Sequence, residues 1–406
     1  MPACGAPAGD EETAMIRKIE ELDLHDKTVF LRVDFNVPID QGKITETHRI
    51  ESALPTIRLI LERARKIIIA SHLGRPDGKV VAKFSLAPVR DYLERSLGQP
   101  VIMAPDCIGA DVERLARESS HRILLLENLR FHREEEKNDP AFSRRLAALA
   151  DVYVDDAFGA AHRAHASIAG MAEFFTQKGA GLLLQKELDY LSRVLSKPES
   201  PFVTILGGAK VSDKIGVIRN LLPKVNTLLI GGGMAYTFLK AKGVDIGRSL
   251  IESDKIALAE ALMKEAAERG VSLLLPLDHV TGDADKRSPV VGTTQIPPDR
   301  MGLDIGPKTV AQFTDEIRKA KMVLWNGPVG LFELEPYSQG SRALALALAE
   351  NHSNLVSIIA GGDTVAAVTA AGVADKITHL STGGGATLEF LEGRELPGIK
   401  ALEVAV

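Results

Sequence analysis

Nine short runs rich in β-branched and other apolar residues, at 28–33, 66–70, 122–126, 151–154, 202–206, 226–230, 271–275, 322–325 and 355–360, recur along the chain. Their apolar residues are continuous rather than alternating. A strand of that kind must be covered on both faces, as in a parallel sheet with helices on either side. Helical patterns at 51–65, 142–150, 254–268 and 341–350 lie between the runs. The alternation predicts an α/β fold of the doubly wound type.

At roughly 150 residues per domain, 406 residues allow two or three domains. The clearest break is central. Leu184, Leu188, Leu191 and Leu195 fall on one stripe of a helix, and Pro198 and Pro201 then stop it. Two α/β domains of similar size, joined by a hinge helix, are the simplest layout. The two ends of the chain read differently. Residues 1–15 are small, proline- and glycine-containing and acidic, with neither a basic n-region nor an apolar h-region, so they read as a disordered tail and not a secretory signal.

Composition excludes several classes. The 49 Lys and Arg against 54 Asp and Glu give a net charge of −5, which argues against bulk nucleic-acid or anionic-membrane binding. Aromatics at 5% are too few for a base-stacking platform. Cys4 and Cys107 cannot build a disulfide framework or, alone, a zinc site. No apolar run approaches the ~18 residues that span a bilayer. The expectation is a cytoplasmic protein without nucleic-acid or membrane partners.

Open α/β sheets bind ligands beyond the carboxyl ends of their strands, so the residues just after each run matter most. In the first half the runs lead into Asp34-Phe35-Asn36 with Arg49 across a short loop, into His72-Leu73-Gly74-Arg75, into Arg130, and into His162, Arg163 and His165. Arginine's planar fork suits carboxylate and phosphate oxygens. Any one of these arginines is as readily a solvated surface residue. Four runs delivering His and Arg to one sheet edge point instead to a pocket for a small, multiply charged anion.

In the second half the runs at 202–206, 226–230 and 355–360, and a further stretch at 377–382, end in glycines: Gly207-Gly208, Gly231-Gly232-Gly233, Gly361-Gly362 and Gly383-Gly384-Gly385. Glycine lets backbone approach a ligand, and a following helix offers free amides to phosphate. One such turn is weak, because tight turns need glycine anyway; four favour a nucleotide. Neither a P-loop nor a dinucleotide-binding fingerprint is present. Lys210 and Lys214, four apart, are expected on one face of a helix that begins at the glycines. Asp363, followed by Thr364, is equally an N-cap and a carboxylate for Mg²⁺. The turn holding Asn326 and Pro328 leads to Glu333, whose carboxylate suits a ribose hydroxyl.

One domain for a small anion and one for a Mg-nucleotide make a kinase for an acidic small molecule. No carboxylate stands out as a base. None is needed if the acceptor is a carboxylate, so positioning and charge neutralisation would supply the catalysis.

Residues 32–38, 71–76, 156–167, 207–214, 325–330 and 381–385, in this order, closely resemble the motifs of the phosphoglycerate kinase family from about Ile16 onward. The resemblance implies reversible phosphoryl transfer between ATP and 3-phosphoglycerate, giving ADP and 1,3-bisphosphoglycerate, with Mg²⁺, in glycolysis and gluconeogenesis, by a monomer whose domains close. It places Asp34, Phe35, Asn36, Arg49, His72, Leu73, Gly74, Arg75, Arg130 and Arg163 on the triose acid, with His165 in the basic patch. It places Lys210, Lys214, Gly231, Gly232, Gly302, Asn326, Pro328, Glu333, Gly361, Gly362, Asp363 and Thr364 on the nucleotide. Asp363 would hold the metal, and Arg49, Lys210 and Lys214 would be catalytic. The implied layout is an acceptor domain over residues 16–186, a hinge helix and linker over 187–200, a nucleotide domain over 201–392, and a segment, 393–406, returning to the first domain. Asp155 and Ala360 depart from the family's usual Asn and Gly. The rival readings are another acyl-phosphate-forming kinase and a non-catalytic binding protein on the same scaffold.

Overall fold

The computed structural model describes residues 15–404. Residues 1–14, most of the expected tail, and 405–406 lie outside them; Met15 pairs with Val404. The chain divides into two compact units. The first holds the residues up to Lys186 together with those from Glu395 onward, and the second is Glu187–Arg394. Helix Leu182–Ser196 runs across the division.

Each unit is built on six parallel strands. In the first, the sheet order is Val101–Met103, Ile123–Leu125, Lys66–Ala70, Thr28–Arg32, Val152–Asp155 and Lys178–Ala180. The central strands Lys66–Ala70 and Thr28–Arg32 are buried at every position, as continuous apolar runs require. Helix His48–Arg63 covers one face with Ile50, Ala53, Ile57, Ile60 and Leu61, the spacing of a single helical stripe. The described end of the chain returns to this unit. Helix Pro397–Leu402 packs beside the 178–180 strand, Gly398 N donates to Ala161 O (2.8 Å), and Glu403–Val404 pairs with Met15–Ile16.

In the second unit the order is Ser272–Leu274, Thr227–Ile230, Phe202–Leu206, Met322–Asn326, Val356–Ala360 and His379–Leu380. The chain winds outward one way from the 202–206 strand and then the other way from its neighbour at 322–326. These two adjacent strands form the topological switch point, where doubly wound sheets open a crevice. The α/β, doubly wound fold predicted from the alternation is thus present twice. An antiparallel sheet of Val290–Thr293, His279–Gly282 and Met301–Ile305 adds an element the sequence reading did not anticipate.

Two local expectations need correction. The 182–196 helix buries Leu184, Glu187, Leu191 and Val194, while Leu188 and Leu195 are only half-buried. A carboxylate therefore occupies its core-facing stripe. The Glu187 carboxylate is satisfied by three hydrogen-bond partners: His379 Nε2 (2.7 Å), Thr382 N (2.6 Å) and Thr382 Oγ1 (2.9 Å). Hydrophobic spacing cannot reveal such a residue, because its partners lie about 190 positions away. The helix expected over 51–65 begins instead at His48, so Arg49 stands in its first turn.

Asp304 gives this fold a pH signature. Its carboxylate accepts from Gly340 N (2.7 Å) and Ile305 N (2.9 Å), yet burial pushes it up to about 7 from an ordinary 3.8. Between those values the folded protein keeps a proton that the unfolded chain has lost, so this residue's contribution to stability falls as pH rises from about 4 to 7. Asp304→Asn removes that slope, although it forfeits one acceptor at every pH. Its melting temperature relative to the parent is expected to be higher at pH 8 than at pH 5. A difference independent of pH would refute the assignment.

Candidate active site

The four strands that end in His and Arg are neighbours in the first unit's sheet, in the order 123–125, 66–70, 28–32 and 152–155. Parallel pairing brings their carboxyl ends to one edge. Asp34 leaves the 28–32 strand with its side chain almost buried, and Arg49 Nη1 donates to its Oδ2 at 2.5 Å. His72 Nε2 lies 3.9 Å from Asp34 Oδ1. Asn36 Oδ1 accepts from Gly74 N (2.9 Å), which locks the two loops together. Gly74 has φ +63°, and a Cβ there would overlap the Phe84 ring, so only glycine serves. Arg130 is buried and donates to Gly74 O (2.7 Å). Arg163 donates to His162 Nε2 (3.1 Å), and Arg75 is exposed.

Electrostatics show how closely these cations are crowded. Burial, then the fields of Arg32, Arg130, Arg49 and His165, hold His72 well below the usual imidazole range. Burial and Arg130, Arg32 and Arg163 lower His165 to about 3. Burial and Arg163 lower even Arg130 to about 10, against the pull of Glu136. Such a cluster is relieved by an anion carrying more than one charge. Phe35 and Leu73 belong to the apolar core, so their side chains are packing groups and only their backbone is available to a ligand. Sequence reading passed over Arg32 and Glu135, both fully buried beneath this edge.

The second unit has a cavity of about 430 Å³ at the switch point. Gly208, Gly232, Gly302, Pro328, Glu333 and Asp363 are among its lining residues, together with Tyr236 and Leu250. The remaining nucleotide candidates are not in the lining: Lys210, Lys214, Gly231, Asn326, Gly361, Gly362 and Thr364. The glycines have a packing role that their spacing did not disclose. Gly208 N donates to Pro328 O (3.0 Å) and Gly232 N to Val329 O (3.0 Å), so the loops after three strands touch backbone to backbone. A Cβ on Gly207 would collide with the Pro328 carbonyl.

Lys210 and Lys214 do not share a helix face. The helix begins at Ile215 and both lysines precede it in an irregular turn. Lys210 is exposed. Lys214 is buried, and its ammonium donates to Asn326 Oδ1, at the end of the 322–326 strand. Burial lowers Lys214 to about 8, opposed by Asp213, Asp363 and Glu392. Asn326 Nδ2 is buried without a protein acceptor, beside Gly361. Gly361 has φ +89°, and Thr364 Oγ1 accepts from Gly327 N (2.7 Å), which fixes the turn that starts helix Gly362–Ala370. An ammonium, an orphaned amide and a helix N-terminus thus meet at one place, a combination that suits phosphate oxygens.

Among the described residues, one mixed group of metal-type donors occurs, Asp106, Cys107 and His132. His132 Nε2 lies 2.7 Å from Asp106 Oδ1, which favours the protonated ring, and burial pushes the Cys107 thiol well up. Without a further ligand, the ring and the carboxylate already satisfy one another by hydrogen bond. Cys4 lies outside the described residues.

A unit that gathers arginines at one sheet edge, and another that folds glycine loops around a cavity at a switch point, have the layout of a small-molecule kinase. A sequence model of the family described as phosphoglycerate kinase matches residues 19–394. The chain belongs to the phosphoglycerate kinase family and is a phosphotransferase of that class. It is 55% identical over 396 residues to the phosphoglycerate kinase of Koribacter versatilis, covering 95% of this chain and 98% of that one. With the cytosolic phosphoglycerate kinase of Triticum aestivum the identity is 53%, covering 95% and 97%. Its fold is similar to the phosphoglycerate kinase structure from Coxiella burnetii, with a TM-score of 0.84, 42% identity, and coverage of 96% of this chain and 99% of that one. Among the described residues no helix is long and apolar enough to cross a membrane.

Proposed function

We propose that the first unit holds 3-phosphoglycerate, the second holds Mg-ATP, and a phosphoryl group passes between them reversibly in glycolysis and gluconeogenesis. The observation that carries this reading is the cationic cluster at the carboxyl ends of four adjacent strands. Asp34, Asn36, Arg49, His72, Arg75, Arg130 and Arg163, with the backbone of Phe35, Leu73 and Gly74, orient the acid so that its carboxylate faces the donor. A carboxylate oxygen then bonds to the γ-phosphorus, the bond to the bridging oxygen breaks, and ADP leaves with that electron pair. No proton moves, so no base is required. Arg49, through its fork, and Lys210 and Lys214 neutralise charge spread over the transferring oxygens.

On the donor side, the cavity wall formed by Gly232, Gly302 and Pro328, with Gly231 behind it, holds the base, and Glu333 accepts from the ribose. Lys214, Asn326 and the turn of Gly361, Gly362, Asp363 and Thr364 receive the phosphates. Asp363 fits Mg²⁺, because its exposed carboxylate lies at the cavity, close enough to Lys214 to act on it. One carboxylate plus phosphate oxygens is an ordinary Mg²⁺ environment, and the ion would supply charge neutralisation. Because each ligand is held by its own unit, transfer requires the units to close and exclude water. In this reading the enzyme is a cytoplasmic monomer without nucleic-acid or membrane partners.

The test is ADP formation from Mg-ATP with and without 3-phosphoglycerate. Turnover that depends on 3-phosphoglycerate is expected. A better rate with another carboxylic acid would favour a different acyl-phosphate-forming kinase. Binding of both ligands without transfer would leave a binding protein.

A further inference from the structure

We propose that Glu135, Ser167 and Arg32 form a buried relay that fixes His72 as a neutral imidazole with its proton on Nε2, so that the acceptor pocket meets an uncharged N–H donor at this point. The functional part rests on the reading of the first unit as the acceptor site; the tautomer does not.

Arg32 closes the 28–32 strand and is fully buried. Its guanidinium can only donate, and its donations have three recipients. Nε meets Ser167 Oγ (2.7 Å), Nη1 meets Val33 O, and Nη2 meets His72 Nδ1 (3.2 Å). Nδ1 must therefore accept, which excludes both the Nδ1–H tautomer and the imidazolium. The remaining proton is on Nε2. The groups facing this ring are Arg32, Arg130, Arg49 and His165, with Asp34 the nearby acid at 3.9 Å. Four cationic or basic neighbours against one carboxylate, itself committed to Arg49, oppose a further positive charge.

Each earlier link also reads one way. Ser167 Oγ receives the Arg32 proton donor, so its own proton must point to Glu135 Oε1 (2.6 Å), and Ser167 N donates to Glu135 Oε2 (2.9 Å). Glu135 and Arg32 are opposite charges, both fully buried, joined through one hydroxyl. Glu135 also lies 3.9 Å from His165 Nδ1. Arg32 is thus a positioning residue, and its product is a donor whose proton does not titrate where free histidine does. Acid bound through His72 would keep this contact through the neutral range in which free histidine titrates.

The test is long-range ¹⁵N–¹H NMR of the imidazoles in the full chain, assigned through His72→Gln. The wild-type His72 spectrum should show a proton-free Nδ1 and a protonated Nε2 from pH 6 to 8. Ser167→Ala should mix the tautomers and raise the KM for 3-phosphoglycerate roughly tenfold, with the KM for Mg-ATP unchanged. His72→Gln keeps an N–H near the Nε2 position and should retain more 3-phosphoglycerate affinity than His72→Asn, whose amide is shorter. If Arg32→Gln does not fold, these comparisons still decide. An imidazolium or Nδ1–H ring in the wild type would overturn the relay, as would an unchanged tautomer ratio in Ser167→Ala. The expected spectrum in a chain that does not bind 3-phosphoglycerate would uphold the relay and reject the acceptor assignment.

Discussion

Arg49→Ala is expected to lower kcat by about 10³-fold while leaving the protein folded. Arg49 occupies the first turn of helix His48–Arg63, whose apolar stripe is carried by Ile50, Ala53, Ile57, Ile60 and Leu61, so the helix keeps its packing without the guanidinium. The side chain is 27% exposed, against 4% for that of Arg130. It is therefore the more accessible cation of the two, and the better placed to reach a moving phosphoryl group. Its partner Asp34 is nearly buried and would be left with a poorly compensated charge, which adds a modest loss in acceptor affinity. Arg49→Lys should recover only part of the rate, because an ammonium cannot hold two oxygens in one plane. Steady-state kinetics with a thermal melt as control checks all of this. A near-normal kcat in the alanine variant would remove Arg49 from the mechanism.

Lys214→Met is expected to act on the other half, lowering nucleotide affinity and reducing kcat by about 10²-fold. The wild-type lysine carries a second, distinctive signature. Burial brings its ammonium down to about 8, so in the ligand-free protein it loses its proton as pH rises through that value. A polyphosphate placed beside it favours the charged form and pulls the value up again. Binding of Mg-ADP near pH 8.5 should therefore take up protons, a fraction of one per site. Calorimetry in buffers of different ionisation enthalpy measures that uptake directly. The methionine variant should bind without it. Unchanged nucleotide affinity and rate together would contradict the assignment.

Much of the fold was legible before any coordinate. Continuous apolar runs announce strands buried on both faces, and all nine runs coincide with strands of the two parallel sheets to within a residue at each end. The strands at Val101–Met103 and Lys178–Ala180 escaped: the first is hemmed in by Pro100 and Pro105, and Lys178-Gly179-Ala180 contains no β-branched or large apolar residue. The antiparallel sheet escaped because its strands, at 279–305, are interrupted by turns and carry exposed Val290 and Val291. Gly302 sits in that sheet and acquires its place at the cavity only through it.

At the site, residue types were readable and partnerships were not. Glycines at strand ends, and arginines following others, are local facts. That Lys214 meets Asn326, 112 positions away, depends on the 202–206 and 322–326 strands being neighbours. That Arg32 should be read with Ser167 and Glu135 depends likewise on strand order.

The sequence by itself determined the class of fold, the two kinds of strand end and the family, because burial periodicity, glycine and charge are written in neighbouring residues. The tertiary structure alone decided which side chains meet, and so which protons they hold. Strand order and burial depth bring groups that are far apart in the chain within hydrogen-bonding distance, and desolvation there sets whether an imidazole, an ammonium or a carboxyl carries charge.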